Sequence, residues 1–332
     1  MEHQEKAPEG NLTELMEFVL LDFSDVPHLQ TFLFGLFLLI YVIILMGNGV
    51  IFLITKLDPG LQTPMYFFLG NFSLLEICCV CYTSQDAHES LDTKKNDFLS
   101  CLCFILTLGA NECFLLAMMA YDRYMAICSP LHCPLVMKYK GGIQLVAGSW
   151  ISGIPLQIGQ TCQIFSLPFC GSNFINHFFC DILPILKLAC GDTFLSEMLV
   201  FTVAALFVLV PFLFILFSYS KIISTILKLP SATSQCKAFS TCSSHLMVVT
   251  LFFESGLVTY LRLKTQASAG TAKVLALFYR IVTPMFNPMI YSLRNKDVMM
   301  ALRKWPGKHL SSLKKWLVFQ KLISYKFVIN FQ

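Results

Sequence analysis

Charge is what this chain has least of: Asp, Glu, Lys and Arg make up 13% of its 332 residues, about half the share of a water-facing domain. With hydrophobic residues at 56%, that scarcity excludes a fold wetted on every side. Also missing are a nucleophile–base set, a cluster with metal-ligand spacing and a phosphate loop, so an enzyme is not expected. Nothing in it calls for a nucleic-acid partner. The first 28 residues are acidic (Glu2, Glu5, Glu9, Glu14, Glu17, Asp22, Asp25) and lack a basic-then-apolar leader. A cleaved signal peptide is therefore not expected, and the first apolar run would itself serve as the insertion signal. No internal repeat is visible, and the inverted-repeat signature of many transporters is missing with it.

What the chain does hold is a series of apolar runs, each near the ~20 residues that cross a bilayer as a helix. Seven are read, at 29–54, 64–84, 98–121, 143–162, 195–220, 238–261 and 272–293. Short alternating segments, the mark of a membrane β-barrel, do not appear. The expected fold is an all-α membrane protein, a seven-helix transmembrane bundle. Residues 1–28 form an outer tail, 29–293 the bundle and 294–332 a cytoplasmic tail. Most of the 24 Lys and Arg residues fall on one side if the N-terminus lies outside and the C-terminus inside, which sets the orientation. Asn11-Leu12-Thr13 is then an outer glycosylation sequon. Asn71-Phe72-Ser73 lies in an apolar run, where chance explains it.

Scarce charges inside such runs are candidate functional groups. Asp122 and Arg123, in "LLAMMAYDRYMAICSP", end the third run at its cytoplasmic mouth, where Arg123 can pair with Asp122 at rest and swing to a partner. The rival reading is simple positive-inside anchoring. Glu76 and Glu112 are the deepest carboxylates, and two acids in hydrocarbon cannot both ionise cheaply unless a cation or proton is shared. Pro284 and Pro288 let the seventh run kink, and Pro211 should bend the fifth, with Tyr219 two turns below it.

"GNGVI" at 47–51, "TPMYFFLGNFSLLEIC" at 63–78, "KAFSTCSSHLMVV" at 237–249 and "PMFNPMIYSLRNK" at 284–296 accompany "MAYDRYMAIC" in a fixed order. Over about residues 17–304 the chain resembles the odorant receptors, a branch of the rhodopsin-like G-protein-coupled receptors. The resemblance implies a receptor that binds a small volatile molecule and raises cyclic AMP through a stimulatory heterotrimeric G protein. It implies the plasma membrane, with sensory cilia expected. It assigns the switch to Asp122, Arg123, Tyr124, Tyr219, His245, Asn287, Pro288 and Tyr291, with Asn287 and Tyr291 as a movable latch. It places Glu76 and Glu112 with Asn48 and Asn287 in a polar cluster that can hold Na⁺, the one cofactor expected. A protonated glutamic acid pair with no ion is the alternative.

The same resemblance implies a bridge between Cys170 and Cys190 in the second outer loop, and ties Cys180 to the top of the third helix. The family's partner cysteine falls at Phe98 here, so Cys101, one turn further in, would have to substitute. The preceding stretch "YTSQDAHESLDTKKND" looks about five residues short and lacks the usual apolar end of the second helix. A nonfunctional or poorly trafficked variant is thus one alternative reading. From another class, an ion channel or transporter is the rival, supported by the buried charges.

Carried over position by position, the ligand walls are Ile105, Leu106, Gly109 and Ala110 on the third helix and Val203, Ala204 and Phe207 on the fifth. The sixth adds Phe253, Gly256, Leu257 and Tyr260, and the seventh Arg280 and Ile281. Such apolar walls suit a ligand bound by buried area. Arg280 and Glu254 depart from the family pattern: either they pair across two helices, or Arg280 captures a carboxylate odorant. Past Lys304 the tail is unusual, and residues 310–324 mix Leu and Trp with Lys, as in a helix lying on an anionic leaflet. A read-through tail is the alternative.

Overall fold

The computed structural model describes residues 17–20, 27–89, 93–130, 132, 139–169, 174–175, 182–186, 189, 193–264, 283–291 and 296–304. Every expected span coincides with helix wherever it is described. α1 is Pro27–Leu57, α2 Pro64–Glu89, α3 Lys95–Cys128 and α4 Tyr139–Phe165. α5 runs Phe194–Leu227, α6 Ala232–Lys264, α7 over 283–291, and a short α8 over Lys296–Lys304. Five of these are long and apolar enough to cross a membrane: α1, α2, α3, α5 and α6. α4 spans 27 residues but carries more Gly, Ser and Gln, of which Gly142, Ser149, Gly153, Gln157 and Gln160 are buried.

Local chemistry sets the helix limits. Pro27 and Pro64 open α1 and α2, where a missing N–H costs nothing. After α1, Asp58 Oδ1 accepts from the Gly60 N–H at 2.7 Å and folds Pro59–Leu61 into a tight 3₁₀ turn. α2 runs past the apolar run expected at 64–84: the polar stretch up to Glu89 continues the helix. Its Gln, Ala and Glu residues favour helix once past the hydrocarbon. α3, at 34 residues, is ~50 Å long and overshoots a ~30 Å apolar slab, which brings Asp122 and Arg123 to its edge.

In α5 the expected bend takes a specific form. Residues Ala205–Leu209 are a π-helical turn, closed by the Val210 N–H bonding to the Ala205 carbonyl. Pro211 has no N–H to give, and its ring would crowd the carbonyl four residues back; the widened turn relieves both.

The bundle is helical apart from three short strands, an addition to the all-α expectation. β1 (Glu17–Leu20) lies between β2 (Thr93–Lys94), antiparallel, and β3 (Phe174–Ile175), parallel. They join the N-terminal segment to the chain between α2 and α3 and to the chain between α4 and α5. A short helix, Lys296–Lys304, lies beyond 283–291 and buries Val298, Ala301 and Leu302. Residues 310–324 lie outside the described residues.

Side chains are apolar both inside and outside the bundle. Phe68, Leu69, Phe72, Leu115, Leu116 and Ile222 are buried at the centre, while Leu39, Ile151, Leu195 and Phe217 project outward. That outer coat fits hydrocarbon rather than water. Asn71, in the second sequon, spends its amide on the Phe67 carbonyl at 2.7 Å within α2.

α1 and α2 pack tightly at Gly70. A Cβ there would lie 2.6 Å from Thr55 Oγ1 and 3.5 Å from Thr55 Cβ. Thr55 Oγ1 now donates to the Phe52 carbonyl at 2.9 Å, and its β-branched side chain has little freedom to turn aside. Gly70→Ala is expected to destabilise the receptor by about 1–3 kcal/mol, read as a lower melting temperature of purified protein, and Thr55→Ala in the same chain should recover much of it.

Candidate functional site

Three layers of polar and aromatic groups run through the bundle, starting at the Arg123 end. The innermost centres on Arg123. Its Nη2 donates to Met65 Sδ at the start of α2, so the ion pair expected with Asp122 is not the arrangement here. Asp122 is buried beside it and still feels the guanidinium charge. That charge also acts on Tyr219, Cys242, His245 and Tyr291, which places Arg123 among α5, α6 and α7.

Tyr219 OH and His245 Nδ1 lie 2.7 Å apart, and the rings stack with centroids 5.7 Å apart. Both are buried, so this bond joins α5 to α6 where water cannot compete. The Cys128 thiol and Thr225 hydroxyl add an α3–α5 contact at 3.2 Å. Tyr124 stacks on Tyr121 at 6.3 Å. His245 lies near enough to Arg123 to feel its charge.

The middle layer holds the buried carboxylates. Asn287 Nδ2 donates to Glu76 Oε1, tying α7 to α2. Asn48 Nδ2 donates to the Ile44 and Pro284 carbonyls, each at 3.2 Å, tying α1 to the segment around Pro284. Glu112 is near enough for its charge to act on Glu76. Asn48 Oδ1 and Asn287 Oδ1 are buried and accept no hydrogen bond among the described residues. No three Asp, Glu, His or Cys side chains converge among the described residues, so a cation here would draw on these amide oxygens as well as Glu76 and Glu112. Pro288 and Tyr291 are buried just below, and Tyr291 feels both Glu76 and Arg123. It stands between the two layers.

The outer layer is apolar. Ala110, Val203 and Phe207 bury together, flanked by Phe114 and Leu199. Phe207 meets Phe114 edge to face, with centroids 5.4 Å apart. The π turn carries Phe207 itself. Ile105 and Leu106 sit higher, against Ile164, Phe165 and the five-residue helix Ile182–Leu186. Phe253 packs on Phe212 at 4.8 Å. Gly109 is half-buried, while Ala204, Gly256 and Leu257 are exposed and lie outside this cluster. Glu254 is also exposed.

Several expected residues lie outside what the structure describes: Asn11, Cys170, Cys180, Cys190, Arg280, Ile281 and the side chain of Tyr260. Cys101 is buried on α3, and a bridge between Phe169 and Ala189 joins the segments next to Cys170 and Cys190.

Sequence reasoning overlooked α4. Ser149 Oγ donates to Asn111 Oδ1 at 2.8 Å, and Asn111 Nδ2 to the Thr107 carbonyl at 2.8 Å. Gly153, Gln157, Gln160 and Ile164 recur at helical spacing and are all buried. That spacing was the available signal. Met65 was missed as well, and a lone Met in an apolar run gives no such cue.

A family profile described as olfactory receptor matches residues 37–306. Human olfactory receptor 10AG1 is 58% identical over 301 residues, covering 89% of this chain and 100% of that receptor. Human olfactory receptor 10A5 is 49% identical over 302 residues, 89% of this chain and 95% of that protein. Human olfactory receptor 10A3 is 48% identical over 304 residues, with 90% and 97% covered.

Proposed function

This chain belongs to the olfactory receptor family, and from that premise we propose that it binds small, mostly apolar odorants in the outer half of its bundle. The observation that carries the reading is the buried cluster of Ala110, Val203 and Phe207, flanked by Phe114, which lies on the same bundle as the buried Glu76–Asn287 pair and Arg123. Binding energy there comes from apolar area, ~25 cal/mol per Å². Gly109, Phe253, Tyr260, Arg280 and Ile281 complete the proposed wall, while Gly256 and Leu257, which face outward, are left out of it.

Agonist binding would loosen the Tyr219–His245 bond and free Arg123 from Met65. A cleft then opens for a stimulatory G protein, which raises cyclic AMP. The multi-pass, apolar-coated bundle fits the plasma membrane, with the N-terminus outside and cilia as the expected site. Na⁺ in the middle layer, held by Glu76, Glu112, Asn48 and Asn287, would supply the positive charge that keeps α2, α3 and α7 together at rest. In the outer loops the proposed covalent features are the Cys170–Cys190 bridge, a Cys180–Cys101 bridge and a glycan on Asn11.

The test is an N-terminally tagged receptor in cells carrying a cAMP reporter, exposed to an odorant panel with surface staining in parallel. An odorant-dependent response is expected. Phe207→Ala should weaken it about tenfold or more with staining unchanged, because a buried aromatic wall is lost. Ion flux without odorant, and no cAMP response to any of the panel, would overturn the proposal.

A further inference from the structure

Resting on the receptor reading above, we propose that α4 adds a polar subsite to the ligand cavity. Gln157 and Gln160 there select molecules carrying a hydroxyl donor over analogues that only accept hydrogen bonds.

The placement follows from register. Gly153, Gln157 and Gln160 share one face of α4. A Cβ on Gly153 would lie 3.8 Å from the Phe207 ring and 3.9 Å from Asn111 Nδ2, so this point of α4 is level with both. Successive spans cross in opposite directions. One turn further out on α4, at Gln157, therefore faces one turn earlier on α5 and α3, at Val203 and Thr107. Gln160 stands one turn beyond. The two amides lie on the helix face that Gly153 turns toward Phe207 and Asn111.

Their chemistry is unusual for so dry a place. Each glutamine is 3% exposed, and each Oε1 accepts no hydrogen bond among the described residues. The donors around them are already committed. Thr107 Oγ1 donates to the Cys103 carbonyl at 2.8 Å. Thr161 Oγ1 donates to the Gln157 carbonyl at 2.7 Å. The Ser149 hydroxyl and Asn111 amide bond each other and the helix, as described. This layer therefore has a surplus of acceptors. A buried acceptor left unsatisfied is costly, and a ligand O–H removes that cost where an ether, aldehyde or ketone cannot. The glutamine NH₂ can donate back to the same hydroxyl oxygen.

The experiment uses the full-length receptor and the cAMP reporter, with straight-chain primary alcohols set against their methyl ethers of matched length. In the wild type the alcohols should be about tenfold or more potent than the ethers. Gln157→Leu and Gln160→Leu should remove that preference by weakening alcohols alone, with surface staining unchanged. Where a leucine variant fails to reach the surface, Gln157→Met, a slimmer apolar substitute, takes its place. Equal loss for alcohols and ethers, or no loss for either, overturns the subsite and assigns the two acceptors to bound water. A wild type that answers other odorants but neither series also overturns it. Silence towards every odorant overturns the receptor reading instead.

Discussion

Replacing Arg123 with alanine should abolish odorant-driven cAMP while leaving the protein folded and at the cell surface. The guanidinium charge reaches groups on α5, α6 and α7 together, acting on Tyr219, His245 and Tyr291. Its hydrogen-bond partner in this structure is a thioether, a weak acceptor. Leaving Met65 therefore costs little, and a stronger acceptor on a G protein would win. Truncating a charged group that makes buried contacts with a partner typically costs 2–5 kcal/mol or more, roughly 30-fold to several thousand-fold in affinity. Folding should tolerate the change because no described carboxylate is left stranded in an ion pair with it. Normal cAMP output at equal surface staining would remove Arg123 from the coupling step.

The second large effect is expected at Glu76. In Glu76→Leu the amide of Asn287 loses its acceptor in a place without water, and the α2–α7 tie goes with it. An orphaned buried donor costs about 1–3 kcal/mol. Loss of stability and of agonist response are both expected, read as a lower melting temperature and a flat cAMP curve. Glu76→Gln keeps the shape and an acceptor oxygen but not the charge, so it separates two readings of the layer. If Na⁺ is bound, replacing extracellular and intracellular NaCl with an organic cation should raise basal cAMP in the wild type and leave Glu76→Gln indifferent. If the two acids instead share protons with no ion, the wild type should ignore the exchange and Glu76→Gln should behave like it.

Much of this was legible in the residues because a bilayer is an unforgiving solvent. An apolar run of the right length has few options other than helix, so the helices could be read directly, and five of those described are long and apolar enough to span. Asp122, Arg123 and Glu76 drew notice for the same reason, since they stand out against a background nearly free of charge, and the structure does bury Asp122 and Glu76. The outer cluster was half legible: Ala110, Val203 and Phe207 do come together, while Gly256 and Leu257 do not join them. For a Leu or Gly on a membrane helix, the inward and lipid-facing sides have the same composition, so only packing decides. The α4 glutamines were passed over because a neutral amide draws less notice than a charge. Arg123 on Met65 was hidden by rotamer choice, which no spacing encodes. The extension of α2 to Glu89 went unread because polarity ends a span without ending a helix.

The widened turn at Ala205–Leu209 has a practical consequence for anyone splicing receptors together. It shifts the azimuth of α5 above the turn relative to the part below, by as much as one residue's rotation, roughly 100°. A straight helical wheel drawn upward from Tyr219 therefore misassigns which residues face the odorant. Chimaeras joined below Pro211 keep the donor's wall in phase, whereas joins placed inside the widened turn scramble it.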